Sequence, residues 1–324
     1  MSYAIIGGMV KNGFNANNII ATNRNQEKLA KVAADFKVQT TSDNNEAMRD
    51  ADVIVLSVKP QMMGDLCQSF QDSGVDFSDK LFISVAAGLT VKRLREMLGQ
   101  DVKMVRCMPN TPSLLGRGVS GLYGAGETQS EHEFVQQVFE CTGIVVWVEK
   151  ESQINDVIAV TGSSPAYFFL FMEAIEEKAK ALGFSDEDAR RLVQQTALGA
   201  AEMALSQTDI SISQLRSNVT SKGGTTHAAV EHLKAQGLTK TVGDAMDVSS
   251  GVMPLSWLER YRSPCLTVLP SRVSYPPRSR RFGIDAIPSD WPGCAPAAES
   301  PSPAGAQPAS NRAAKKTIRE AMEY

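Results

Sequence analysis

The densest run of groups able to hold a small anion is Thr220-Ser221-Lys222-Gly223-Gly224-Thr225-Thr226, directly ahead of a predicted helix. Its glycines let successive backbone N–H groups converge, and a helix N-terminus adds positive potential, which together suit a carboxylate. The run is too short and too unlike a Walker loop to hold a polyphosphate. An ordinary helix start needs one Ser or Thr as its cap, whereas four hydroxyls and two glycines stand here.

Three further segments put small or polar residues where a core would want neither. Val58-Lys59-Pro60 and Ser84-Val85-Ala86-Ala87-Gly88 close two strongly apolar runs, 52–58 and 81–86. In an open parallel sheet, ligands bind off the carboxyl ends of the strands, where Ala86, Ala87 and Gly88 would let a flat ring approach the backbone. Plain strand termination is the competing reading. In Met108-Pro109-Asn110-Thr111-Pro112 two prolines fix φ and remove donors, which leaves Asn110 and Thr111 on a stiff strand-end loop. Gly162-Ser163-Ser164-Pro165-Ala166-Tyr167 sets a proline in the first turn of a long helix, and reads equally as capping at a domain junction.

The elements that must position these groups alternate from the start. Helix is expected over 1–12, 26–36, 60–70, 91–98 and 130–141, and strand over 18–23, 52–58, 81–86, 103–108, 119–123 and 144–148. Such alternation predicts parallel βαβ units. The run DVIVLSV is apolar throughout, as suits a strand covered on both faces. After Glu149 the pattern is helical only: 165–182, 185–205, 211–217, 226–235 and 238–248. Ser185 followed by Asp186, Glu187 and Asp188 is a strong start signal. We therefore expect a dinucleotide-type α/β domain over 1–149, a helical domain over 150–248, and a tail over 249–324.

Composition supports the tail as a separate entity. Of 15 prolines, 11 lie at or after Pro254, and the first 248 residues carry 23 basic and 30 acidic side chains, leaving 10 and 6 for the rest. A body near −7 joined to a tail near +4 does not read as one globule. The tail lacks periodicity and is expected to be disordered, apart from a possible short helix over 313–324.

Several function classes drop out. No unbroken apolar run of about 18 residues exists, so no membrane-spanning helix is expected. The opening residues have no basic n-region and no cleavage site, which makes the cytoplasm the default. Cys67, Cys107, Cys141, Cys265 and Cys294 show no CxxC spacing, and His132, His227 and His232 are too few and badly placed, so no metal site is expected. The mildly acidic body gives no case for nucleic acid.

A doubly wound domain holds its dinucleotide where the first strand turns through glycines onto the first helix. This sequence has no G-x-G-x-x-G and no strand before its first helix, and Gly7-Gly8 lies inside that helix, where it serves close packing. The remaining coenzyme signal is Ala21-Thr22-Asn23-Arg24-Asn25 after the second strand. Neutral groups plus Arg24, in place of Asp or Glu, suit a 2′-phosphate and favour NADPH, with NADH possible.

In this order, ADVIVLSVKPQ, SVAAGLT, RCMPNTP, VTGSSPAYFF and TSKGGTTHAAVEHL strongly resemble 1-pyrroline-5-carboxylate reductases, over roughly three quarters of the chain. The last motif is the family's signature; the others are shared with further Rossmann reductases. The resemblance implies NAD(P)H-dependent reduction of 1-pyrroline-5-carboxylate to proline, and a helical domain that builds an interlocked homodimer or a higher homo-oligomer. By motif it places Asn23, Arg24, Asn44, Val58, Lys59, Pro60, Ala86, Ala87, Gly88 and Asn110 at the coenzyme. It places Ser221, Gly223, Gly224 and Thr225 at the substrate carboxylate, and gives Thr226 the ring nitrogen and the catalytic role.

Two departures carry expectations of their own. Family members have a strand and an IGxGNM-like loop ahead of the helix that opens this sequence. The resulting gap should leave the flanking strands without a neighbour at the usual ~4.8 Å spacing. After Val248 the family's last helix gives way here to Ser249-Ser250-Gly251 and the tail. Two other functions compete. One is a non-catalytic dimerising protein that has lost dinucleotide binding. The other is an NADP-linked hydroxyacid dehydrogenase, disfavoured because GSSPAYFFLFMEA lacks the lysine such enzymes use.

Overall fold

The computed structural model describes residues 1–251. The expected disordered tail and terminal helix lie outside the described residues, save for positions 249–251. Up to Trp147, helices and strands alternate as α1 (Ser2–Lys11), β1 (Ile20–Thr22), α2 (Gln26–Phe36), β2 (Gln39–Thr41), α3 (Asn44–Asp50), β3 (Val53–Leu56) and α4 (Pro60–Asp72). The series continues with β4 (Leu81–Ser84), α5 (Val91–Leu98), β5 (Lys103–Pro109), β6 (Gly118–Ala125), α6 (Gln129–Glu140) and β7 (Gly143–Trp147). Local chemistry sets the helix starts: Asn25, Asp43, Thr90 and Thr128 each accept a backbone N–H of the first turn of α2, α3, α5 and α6, and Pro60 opens α4.

Two sheets result, β1-β2 and β3-β4-β5-β6-β7. Among the described residues no strand joins them, so β1 is bonded only to β2 and β3 only to β4, which is the break the motif alignment predicts. One consequence is visible in β3. Its apolar sequence called for cover on both faces, yet Val55 is 37% exposed, whereas every residue of β4 is buried. A second difference concerns direction. The β3-β4-β5 ladder is parallel, but β6 runs antiparallel to β5 before β7 returns parallel to β6. Residues 110–117 form only a short 3₁₀ connection, and a parallel return needs a crossover of a dozen or more residues.

The five-stranded sheet is packed on both faces with the period of two that strands impose. Phe82 and Met104 point to Met48, Met63, Phe70, Leu94 and Leu98, while Leu81, Ile83, Val105 and Cys107 point to Ile5, Val135 and Phe139. Helix α1 reaches this second face through Ile5 and Met9, and its glycines pack closely as expected, Gly8 against the end of α6 and Gly7 against α2. A Cβ on Gly8 would lie 2.7 Å from the Cys141 carbonyl oxygen, and one on Gly7 2.9 Å from the Phe36 ring.

From residue 151 the chain is helical: α7 (Gln153–Val157), a π turn (Ile158–Gly162), α8 (Ser164–Ala181), α9 (Asp186–Ser206), α10 (Ile212–Asn218), α11 (Thr225–Ala235) and α12 (Leu238–Ser249). Few of its apolar side chains are covered within one chain. Phe168, Leu170 and Leu205 are each 65–70% exposed, and α8 buries none of its residues. Residues Gln153–Ala181 form one helical run containing an 18-residue window of mean hydropathy 1.3, only 6% buried. By length and composition alone this run is long and apolar enough to cross a membrane, which corrects the exclusion drawn from the sequence. The reason is that α7, the π turn and α8 merge, and the expected helix began only at Pro165.

Candidate active site

The crevice forms off the carboxyl ends of β3 and β4, which stop level with each other while β5 runs three residues further, from Arg106 to Pro109. Beyond Leu56 the chain passes through Val58 and the exposed Lys59 into α4, and beyond Ser84 through the buried Ala86 and the exposed Ala87 and Gly88. The Val85 N–H donates to the Leu56 carbonyl at 3.1 Å and the Ala86 N–H to Ser84 Oγ at 3.3 Å, so the two ends are tied together. Gly88 has φ +76°, and a Cβ there would meet nothing within 4 Å, which leaves open space above the strand ends.

Asn110 closes the third strand end. Its Oδ1 accepts the Val119 N–H at 2.8 Å and its Nδ2 donates to the Thr161 carbonyl at 2.9 Å, so this buried amide ties β5 to β6 and to the π turn. One N–H and one lone pair of the amide remain for a ligand. Asn23 and Arg24 sit at the end of β1. Asn23 Oδ1 accepts the Asn25 N–H at 2.9 Å, while the exposed Arg24 guanidinium makes no hydrogen bond or ion pair among the described residues. Asn44 begins α3, behind the Asp43 cap.

Residues 220–226 lie elsewhere on the chain. Gly223 takes φ +78°, and Gly224 caps α11 without any side-chain hydrogen bond. The first-turn N–H groups of α11 are therefore presented to solvent beside the exposed Thr225 and Thr226, unlike those of the side-chain-capped helices α2, α3, α5, α6, α9 and α10. Among the described residues, hydrogen bonds of this segment stay local, such as the Gly224 N–H to the Ser221 carbonyl at 2.9 Å. One chain thus brings Val58, Lys59, Pro60, Ala86, Ala87 and Gly88 to the paired ends of β3 and β4, and sets Asn110 at the end of β5, four residues past the pairing of Ser84 with Arg106. It does not hydrogen-bond the GGTT segment to that crevice.

The comparisons with known proteins bear on both halves. A family model described as pyrroline-5-carboxylate reductase dimerisation matches residues 151–251, and one described as coenzyme F420-dependent NADP oxidoreductase matches residues 1–88. A pyrroline-5-carboxylate reductase of Vibrio alginolyticus is 50% identical over 250 residues, 77% of this chain and 91% of that protein. The chain belongs to the pyrroline-5-carboxylate reductase family. A second member, from Pseudomonas aeruginosa, is 43% identical over 251 residues, 77% of this chain and 91% of that protein. The solved reductase of Coxiella burnetii superposes with a TM-score of 0.72 at 38% identity, over 77% of this chain and 92% of that one. A Plasmodium falciparum pyrroline carboxylate reductase solved with NADP bound gives 0.67 at 29% identity, over 77% and 91%.

Family membership accounts for the bare apolar face of α8. The match to a dimerisation model covers residues 151–251, the segment in which Phe168, Leu170 and Leu205 stand exposed in one chain. Burial pushes the Cys67 thiol up to about 11 and holds Cys107 well above its ordinary value.

Sequence reasoning missed Arg106 and Glu151. Arg106 Nη1 donates to Glu151 Oε1 at 2.9 Å with the arginine side chain 7% exposed, and the same oxygen accepts the Val91 N–H at 2.7 Å. The available signal was a charged residue in the middle of the strand KMVRCMP, between the apolar Val105 and Cys107.

Proposed function

We propose that this chain reduces 1-pyrroline-5-carboxylate to L-proline with NADPH, working in the cytoplasm as a homodimer or a larger homo-oligomer. The observation that carries the reading is the pair of half-sites just described: a crevice of small residues off the ends of β3 and β4, and an uncapped, glycine-led helix start. When bound, NADPH supplies a hydride to the imine carbon.

The residues present fit that coenzyme at both of its ends. Arg24, exposed and without a protein partner among the described residues, is free for a 2′-phosphate, beside Asn23 and Asn44. Val58, Lys59, Pro60, Ala86, Ala87, Gly88 and Asn110 would surround the nicotinamide. The first-turn N–H groups of α11, with Ser221, Gly223, Gly224 and Thr225, would hold the substrate carboxylate, and Thr226 Oγ1 would bond the ring nitrogen. Because the hydrogen bonds of the GGTT segment stay local within one chain, a second copy would complete the site.

The chemistry asks little of the side chains. A protonated imine accepts hydride at carbon and ends as a neutral secondary amine. The substrate itself carries that proton in, so no nucleophile is required. Orientation supplies the rate, worth on the order of 7–11 kcal/mol when well arranged. Thr226→Ala should therefore lower kcat/KM at least 10-fold while leaving the NADPH Kd unchanged; an unaltered kcat/KM would remove Thr226 from the mechanism. The break between the two sheets supports a second reading, a dimeric protein without dinucleotide binding. Calorimetry separates them: that reading requires no heat of binding even at millimolar NADPH.

A further inference from the structure

Glu151 stands where the chain leaves the sheet for the helices, and one of its oxygens joins three elements. Oε1 accepts from Arg106 in β5 and from the backbone of Val91, the first residue of α5. Four residues further along, Asn110 makes the second tie, through Nδ2 to the Thr161 carbonyl of the π turn. Thus the turn leading into α7 is fastened to β5, and the π turn to the residue that follows β5. Beside the first tie lies a cavity of about 420 Å³ lined by Gly88, Thr90, Arg106, Glu151, Ser152 and Asn155, so it adjoins the coenzyme crevice through Gly88.

A buried ion pair is a poor choice for stability alone, because apolar residues of similar volume commonly do as well or better. Its geometry is what a charged pair adds. Glu151 fixes the direction in which the helical half departs from the strand ends. The coenzyme rests on those ends, and the substrate is held by the helical half. We infer that Arg106 and Glu151 are positioning residues for the reduction: by fixing how the helical half leaves the strand ends they set how a second copy docks on it, and so where that copy's substrate-bearing helix meets the crevice. This rests on the function proposed above. Reacting atoms must come within about 3–3.5 Å, and a misplacement of about 1 Å costs on the order of 100-fold in rate.

The test is the double variant Arg106→Met/Glu151→Leu in the full chain, with Glu151→Gln as the conservative partner. The apolar pair leaves no lone buried charge, so its melting temperature should fall by no more than the loss of the one Val91 N–H bond entails. Its kcat should drop at least 10-fold with KM and the NADPH Kd within about 3-fold, while Glu151→Gln, which keeps both acceptor bonds, should hold kcat within about 3-fold. Hydrogen exchange supplies a readout independent of activity: amides of residues 153–162 and of Val91 should exchange at least 10-fold faster in the double variant, with β4 and β5 unchanged. A double variant that turns over like the parent, or whose exchange at these amides is unaltered, overturns the inference. If the parent chain itself fails to reduce the imine, the proposed function falls, and the exchange result alone decides whether the pair is a joint.

Discussion

Removing the Asn110 amide is the sharpest test of how the crevice is held. Asn110 is 7% exposed, so Asn110→Ala leaves the Val119 N–H and the Thr161 carbonyl without their partners in a dry setting. Each such orphan costs about 1–3 kcal/mol, or about 2–6 kcal/mol for both. In a chain of this size 1 kcal/mol moves the midpoint by about 2–4 °C, so a drop of about 4–24 °C is expected in a thermal melt followed by circular dichroism. Asn110→Asp separates the two bonds. The carboxylate still accepts from Val119 but repels the Thr161 carbonyl, so this variant should be unstable at neutral pH. It should recover as pH falls toward the ordinary aspartate pKa of about 3.9, where a protonated carboxyl can donate. A midpoint within 1 °C of the parent for Asn110→Ala would refute the claim that this side chain fastens β5 to β6 and the π turn.

Other outcomes follow from the same geometry. Arg24→Gln should raise the NADPH Kd about 10- to 100-fold in calorimetry, and leave the NADH Kd alone, if the guanidinium binds a 2′-phosphate by charge-assisted bonds. Phe168→Glu/Phe171→Glu, at positions 70% and 49% exposed in one chain, should shift the elution volume to that of a monomer. At Glu131, burial alone would raise the carboxyl, but the Lys103 ammonium at 2.8 Å and the Thr128 N–H and hydroxyl outweigh it, and the net shift is below the ordinary 4.5. A depressed pKa means stability present above about 4.5 and lost as pH falls through the folded value, so Lys103→Met should melt with a shallower acid dependence than the parent.

Much of this architecture was legible in the residues. Helices with a cap and an apolar stripe were placed to within a residue or two, as with α2 and α5, because start signals and periodicity agree there. The short β2 and α3 were not seen, since three strand residues and two helical turns hold too little period. The antiparallel β6 was hidden because strand direction is set by what the connection can span, and the residues of β6 themselves carry no sign of it. The Arg106–Glu151 pair joins positions 45 apart in sequence, which no local pattern reveals. Likewise, the GGTT run suggested an anion site, but nothing in its spacing showed that its hydrogen bonds would stay local within one chain.

The most direct test mixes the purified chain with 1-pyrroline-5-carboxylate and NADPH and follows coenzyme absorbance and proline together. The account predicts one proline formed for each NADPH consumed, with turnover lost on dilution to monomer or in Thr226→Ala. A folded, dimeric chain that binds NADPH yet yields no proline would contradict it.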